Sequence, residues 1–174
     1  FNNNRQFTDA IDVTECYRLS DTTSVDVNRQ NAKAYCMLKD YKKAIERYES
    51  LKRMGDRSFL TFYYLGISYY GDNWFYGSYD NLKEAYAKNS TDINVLYYYA
   101  KSCSRTSWKK EGVEFMEKAV EIATPGDSIL ERLYKGLAEC YGYAGESYKK
   151  IEVMNRLYKL NKDYKLFYSI ARAY

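Results

Sequence analysis

Histidine is absent from the chain, proline occurs once, at Pro125, and no apolar run approaches the ~18 residues that a membrane-crossing helix needs. Without an imidazole there is no ordinary general base at neutral pH and no nitrogen ligand to complete a zinc site. The four cysteines, Cys16, Cys36, Cys103 and Cys140, contain no Cys-x-x-Cys pair, so they are expected to be free and largely buried thiols. The glycines are scattered rather than gathered into a phosphate-cradling loop, and no nucleophile and base stand at a catalytic spacing. No metal, no cofactor and no enzyme activity is therefore expected. Charge is not one-sided either: a net +4 is too mild to demand nucleic acid or an anionic membrane as the partner. The chain opens on Phe1 and stops at Tyr174 within a helical pattern, as expected of a fragment or processed product, which leaves the compartment open.

With a single proline and weak strand signals, long helices are free to run from turn to turn. Two rows of small residues set their period. Ala32, Gly66 and Ala100 stand 34 residues apart, each followed three residues later by Tyr35, Tyr69 and Cys103. Ala10, Ala44, Ser78 and Gly112 keep the same step out of phase with the first row. Self-similarity at this period marks stacked helical hairpins, each burying its apolar face against its neighbours. The first helices show the i, i+3, i+4, i+7 spacing of one helical face, as in Phe62, Leu65, Gly66 and Tyr69.

The period predicts an all-α chain organised as one array over 1–174. Residues 1–24 are the second helix of a partial repeat, complete repeats cover 25–58, 59–92, 93–130 and 131–163, and 164–174 is the first helix of a truncated one. Gly55 and Ser58 are expected as helix caps, and the turn at Thr124, Pro125, Gly126 and Asp127 delays the following repeat by a few residues. In the last complete repeat Lys150 takes the place of the small residue, so that helix is expected to sit further out or in a shifted register. The triplet Asn89, Ser90 and Thr91 matches a glycosylation acceptor but reads as the turn before the third repeat.

Phe62, Leu65, Gly66, Tyr69, Ser78, Leu82 and Ala85 resemble the repeat unit of the tetratricopeptide repeat family, and the resemblance extends over essentially the whole chain. It implies an alpha-alpha superhelix: a right-handed solenoid whose first helices line a concave groove and whose second helices form the outer wall. It also implies a scaffold or adaptor that recognises a peptide or protein segment in that groove. Some members clamp a terminal carboxylate with Lys and Asn residues. Here the corresponding places hold Arg29 and Lys33, Tyr64 and Ile67, then Asn94 and Tyr98, so that clamp is absent.

If one stripe of each first helix is buried, a second stripe offset by about one residue must face the groove. That stripe reads Arg29, Lys33 and Cys36; Tyr63, Ile67 and Tyr70; Tyr97, Lys101, Ser104 and Arg105; Arg132, Lys135, Glu139 and Tyr143; then Tyr168 and Arg172. Tyrosine and arginine combine large contact area with directed hydrogen bonds, which is why they recur at interface hot spots. An aromatic and basic groove of this composition is expected to take an extended, acidic or carboxylate-bearing peptide. Two other classes remain: a self-assembling repeat module using the open repeat ends, and a single-stranded nucleic-acid track, which the weak net charge disfavours.

Overall fold

The computed structural model describes residues 2–20, 23–124 and 126–161. Pro125 and the segment 164–174, with Tyr168 and Arg172, lie outside the described residues. Among the described residues there are nine helices and no strand: α1 (Asn2–Ser20), α2 (Val25–Met37), α3 (Tyr41–Arg53), α4 (Phe59–Gly71), α5 (Phe75–Lys88), α6 (Ile93–Ser104), α7 (Lys109–Ile122), α8 (Leu130–Ala144) and α9 (Ser147–Asn161). The chain divides into two compact units, Phe1–Asn89 and Ser90–Tyr174.

Short-range chemistry sets where helices begin and end. Ser58 Oγ accepts from the Thr61 N–H at 3.3 Å, and Asp92 Oδ1 accepts from Asn94 and Val95 at 2.8 and 3.1 Å, meeting amide groups that have no partner inside the helix. The turns closing three hairpins share one device. Lys39 and Asn73 (φ 63°) and Gly145 (φ 79°) adopt the left-handed conformation. The next residues, Asp40, Trp74 and Glu146, then donate their N–H to the carbonyls of Tyr35, Tyr69 and Tyr141 at 3.0, 2.9 and 2.9 Å. Gly55 (φ 90°) ends α3 in the same left-handed region.

The two rows of small residues meet inside the hairpins. Ala32 and Ala44 are fully buried, and Ser78 Oγ donates to the Gly66 carbonyl at 2.8 Å. A methyl on Gly66 would lie 2.5 Å from Leu82 Cγ, and one on Gly112 only 2.8 Å from the Ala100 carbonyl oxygen. The helices thus approach until backbone nearly touches side chain, as close-packed interiors require. Around these crossings the first unit buries Tyr48, Leu51, Leu65 and Leu82, and the second buries Leu96, Met116, Leu133 and Leu157.

Lys150 is accommodated by its neighbour rather than by a small residue at its own position. Its aliphatic stem runs beside Gly142, where an added methyl would sit 3.7 Å from Cδ. The four cysteines are free, with Cys36, Cys103 and Cys140 buried and Cys16 exposed. Burial pushes the Cys103 thiol up to about 12 and the Cys140 thiol up to about 11, so both stay protonated.

Two residues of the expected groove stripe turn inward. Cys36 is buried, its Sγ directed at the Tyr64 carbonyl of α4 at 4.0 Å. Ser104 is buried too, because the bare Cα of Gly112 lets its hydroxyl lie where a methyl on that glycine would sit, 2.5 Å away. Both stand near the end of a first helix, where the neighbouring helix closes over the stripe.

A polar contact also recurs between consecutive hairpins. Tyr35 Oη donates to Glu15 at 3.1 Å, Tyr69 Oη donates to Glu49 at 2.8 Å, and Tyr141 Oη donates to Glu117. Burial first, then the carboxylate, pushes the Tyr69 and Tyr141 phenols well above their ordinary range, keeping them as donors.

Candidate functional site

Apart from Cys36 and Ser104, none of the described residues expected to form the groove is fully buried, and they fall into two sets. In the first unit α2 carries Arg29 and Lys33, and α4 carries Tyr63, Ile67 and Tyr70. Arg29 is committed to the fold. Its guanidinium pairs with Asp26 and Asp56, each at 2.8 Å. Asp56 also accepts from Thr61 Oγ1 at 2.7 Å and the Ser58 N–H at 2.8 Å. Burial by itself raises the Asp56 pKa, but the bonds from Thr61, Ser58 and Arg29 outweigh it and hold it at about 2.

Lys33 Nζ lies 5.6 Å above the Tyr64 ring, which stacks on Tyr48 at 6.1 Å. Tyr63 stacks on Phe59 at 5.7 Å and meets Tyr64 edge-on at 5.0 Å. Tyr70 leans edge-on against Phe75 at 5.5 Å, and Ile67 packs partly against the core. This is an aromatic terrace whose one described cation outside an ion pair is Lys33.

The second unit gathers Tyr97 and Lys101 from α6 and Arg105 just past its end, with Arg132, Lys135 and Tyr143 from α8. Tyr97 is the centre: the Arg132 guanidinium lies 4.7 Å from its ring centroid and Lys101 Nζ 5.5 Å. Arg132 donates to Asn94 Oδ1 at 2.6 Å and has no carboxylate partner among the described residues. Lys101 pairs with Glu139 at 2.9 Å and Lys135 with Glu131 at 2.5 Å, while Arg105 stacks on Tyr143 at 5.5 Å. Lys135, Glu139 and Tyr143 also rim a concavity of about 500 Å³ floored by Ala138, Met154 and Leu157.

Three participants lie outside the expected stripe. Asp56 stands in a connection, outside any helical stripe, so its capture of Arg29 had no periodic signal. Tyr64, one residue from the expected stripe, is the ring beneath Lys33. Asn94, which fixes Arg132, lies three residues before Tyr97, a spacing that places both on one face of α6.

Stacked α-hairpins, three of them closed by left-handed turns, with small residues where their helices cross, define the helical-repeat class. Within it, the chain has the tetratricopeptide-repeat fold, an alpha-alpha superhelix. YrrB, a TPR protein described as having an unusual peptide-binding site, is similar with a TM-score of 0.81 at 15% identity, over 97% of this chain and 84% of its own. TTC0263, a thermophilic TPR protein of Thermus thermophilus, is similar with a TM-score of 0.64 at 14% identity, over 96% of this chain and 90% of its own. The APC/C hetero-tetramer Cut9–Hcn1 is similar with a TM-score of 0.70 at 15% identity, over 98% of this chain and 34% of its own. No family model and no curated protein matches the sequence.

Proposed function

We propose that this chain is a noncatalytic scaffold that binds an extended peptide or protein segment, and that the α6–α8 face of the second unit is its principal docking surface. The observation that carries this reading is the Tyr97 centre. Arg132 and Lys101 lie against one half-buried ring, and Arg132 keeps hydrogen-bonding capacity beyond Asn94 without a carboxylate of its own. A guanidinium held in place by stacking and one hydrogen bond loses little freedom on meeting a guest. The peptide-binding site described for YrrB, a protein of this fold, supports the class of guest.

The partner's acidity is a finer matter. Lys101 and Lys135 already hold Glu139 and Glu131, so an incoming carboxylate would displace these at little net gain. Arg132 is the cation that gains a full partner. The guest is therefore a segment with one well-placed acidic group flanked by apolar or aromatic residues, rather than a polyanion.

Selection from a library of extended random peptides tests this. The native chain should enrich binders with a shared acidic position, and the Tyr97→Ala, Arg132→Ala double variant, with its helical content intact by circular dichroism, should bind them about tenfold or more weakly. Equal binding by the variant contradicts the reading.

A further inference from the structure

The attachment of α1 differs from the other contacts of the first unit in how little apolar surface it buries. Helices α2 to α5 each bury side chains in the core, whereas no described side chain of α1 is fully buried. Ile11 packs against that core but is only partly buried, and Val13 and Leu19 are 69% and 91% exposed. Beyond these partly buried side chains, what joins α1 to its neighbours is polar. Asn31 Nδ2 donates to Thr14 Oγ1 at 2.9 Å, and Arg18 Nε donates to Asn28 Oδ1 at 2.7 Å.

Glu15 is the hub of this seam. Its Oε1 accepts from Asn31 Nδ2 at 3.1 Å, Tyr35 Oη at 3.1 Å and Arg47 at 3.2 Å, while its Oε2 accepts from Arg18 at 2.9 Å. One carboxylate thus collects donors from α1, α2 and α3. The corresponding Tyr69–Glu49 bond joins α3 and α4, which are also held by buried Tyr48, Leu51 and Leu65. At α1 the apolar reinforcement is limited to partly buried side chains such as Ile11.

We propose that α1 is a releasable strap, pinned to the first hairpin by the Glu15 carboxylate and free to detach, with α2 to α5 staying folded, when that carboxylate is neutralised or removed. Segments with few buried apolar contacts open at lower free energy than the core they lie on. Release uncovers Asn28, Asn31 and Arg47, a row of hydrogen-bonding side chains along the flank that α1 covers.

The charges around the pin fix the direction of its response to pH. Arg18 on α1 and Arg47 on α3 face Glu15, with Tyr35 from α2; Lys43 lies over the Tyr35 ring at 5.1 Å and Glu46 shares Arg47 at 3.4 Å. Burial raises the Glu15 pKa, but the Asn31 bond, the Arg47 charge, the Tyr35 bond and the Arg18 charge together bring it below its ordinary value. The strap is therefore held above the carboxylate range and let go in acid.

Hydrogen–deuterium exchange of the whole chain at neutral pH, compared among wild type, Glu15→Ala and Asp12→Ala, tests the proposal. Alanine favours the helix, so faster exchange in Glu15→Ala reports lost docking rather than lost helix propensity. Asp12 is exposed on the same helix and serves as the control. Peptides of α1 should exchange about tenfold or more faster in Glu15→Ala, with α4 and α5 within about twofold of wild type and Asp12→Ala unaltered. Unchanged protection of α1, an equal rise across α2 to α5, or the same rise in Asp12→Ala overturns the proposal.

Discussion

At the scale of single residues the fold is governed by how closely two backbones approach. Gly66, Gly112 and Gly136 stand at three such places, and what an added methyl would meet differs at each. At Gly112 it strikes the Ala100 carbonyl oxygen at 2.8 Å and the Ser104 backbone nitrogen at 3.0 Å, neither of which can turn aside. At Gly66 it strikes the branch point of fully buried Leu82 at 2.5 Å. At Gly136 it meets the end of Met116 at 2.8 Å and the edge of Tyr97 at 2.9 Å, and methionine repacks easily. Alanine at Gly112 should therefore cost the most, on the order of 3 kcal/mol, Gly66→Ala roughly 2, and Gly136→Ala about 1 or less. Denaturant titrations of the three variants measure the order, and a Gly136→Ala loss exceeding that of Gly112→Ala would contradict the packing described.

The elements follow from the same residues repeated. Asp56 illustrates how a connection fixes its neighbours, since one carboxylate accepts from the first turn of α4 through Ser58 and Thr61 and from α2 through Arg29. Its folded pKa near 2 lies below the ordinary 3.8, so its stabilisation is fully present above pH ~4 and drains away as pH falls toward 2. That difference corresponds to about 2 kcal/mol. Asp56→Asn should lower stability at neutral pH and flatten the acid limb of the stability curve. An acid limb as steep as wild type would mean that other carboxylates carry it.

Much at this level was legible in the sequence. The small-residue rows announced which faces meet, because those crossings leave no room for a larger side chain, and Ala32, Ala44, Ser78 and Ala100 are fully buried. The expected groove was legible only in part. A stripe read along one helix knows nothing of side chains arriving from elsewhere, so it could not foresee Asp56 taking Arg29, Gly112 admitting Ser104, or Asn94 steadying Arg132. The Tyr–Glu bonds carry a 20-residue spacing in the first two cases, Glu15 with Tyr35 and Glu49 with Tyr69, yet only the folded hairpins show that the two side chains touch.

For the whole molecule, the modest net charge of +4 and the internal pairing of its cations set how it should meet a guest. Arg29, Lys101 and Lys135 are spent on Asp26, Asp56, Glu139 and Glu131, so few counterions await release on binding. Peptide affinity should fall only about two- to fivefold between roughly 0.05 and 0.5 M salt, the response of one or two screened contacts. A decline of several orders of magnitude over that range would instead indicate a polyanion such as single-stranded nucleic acid.

The central claim is that the open edge of the leading helices, centred on Tyr97, receives a peptide. Mapping amide shifts by NMR as a selected peptide is titrated into the whole chain tests it most directly. The prediction is that the largest changes cluster on α6 and α8 around Asn94, Tyr97, Lys101, Arg132 and Lys135. Changes concentrated on α7 and α9, with the Tyr97 surroundings silent, would contradict it.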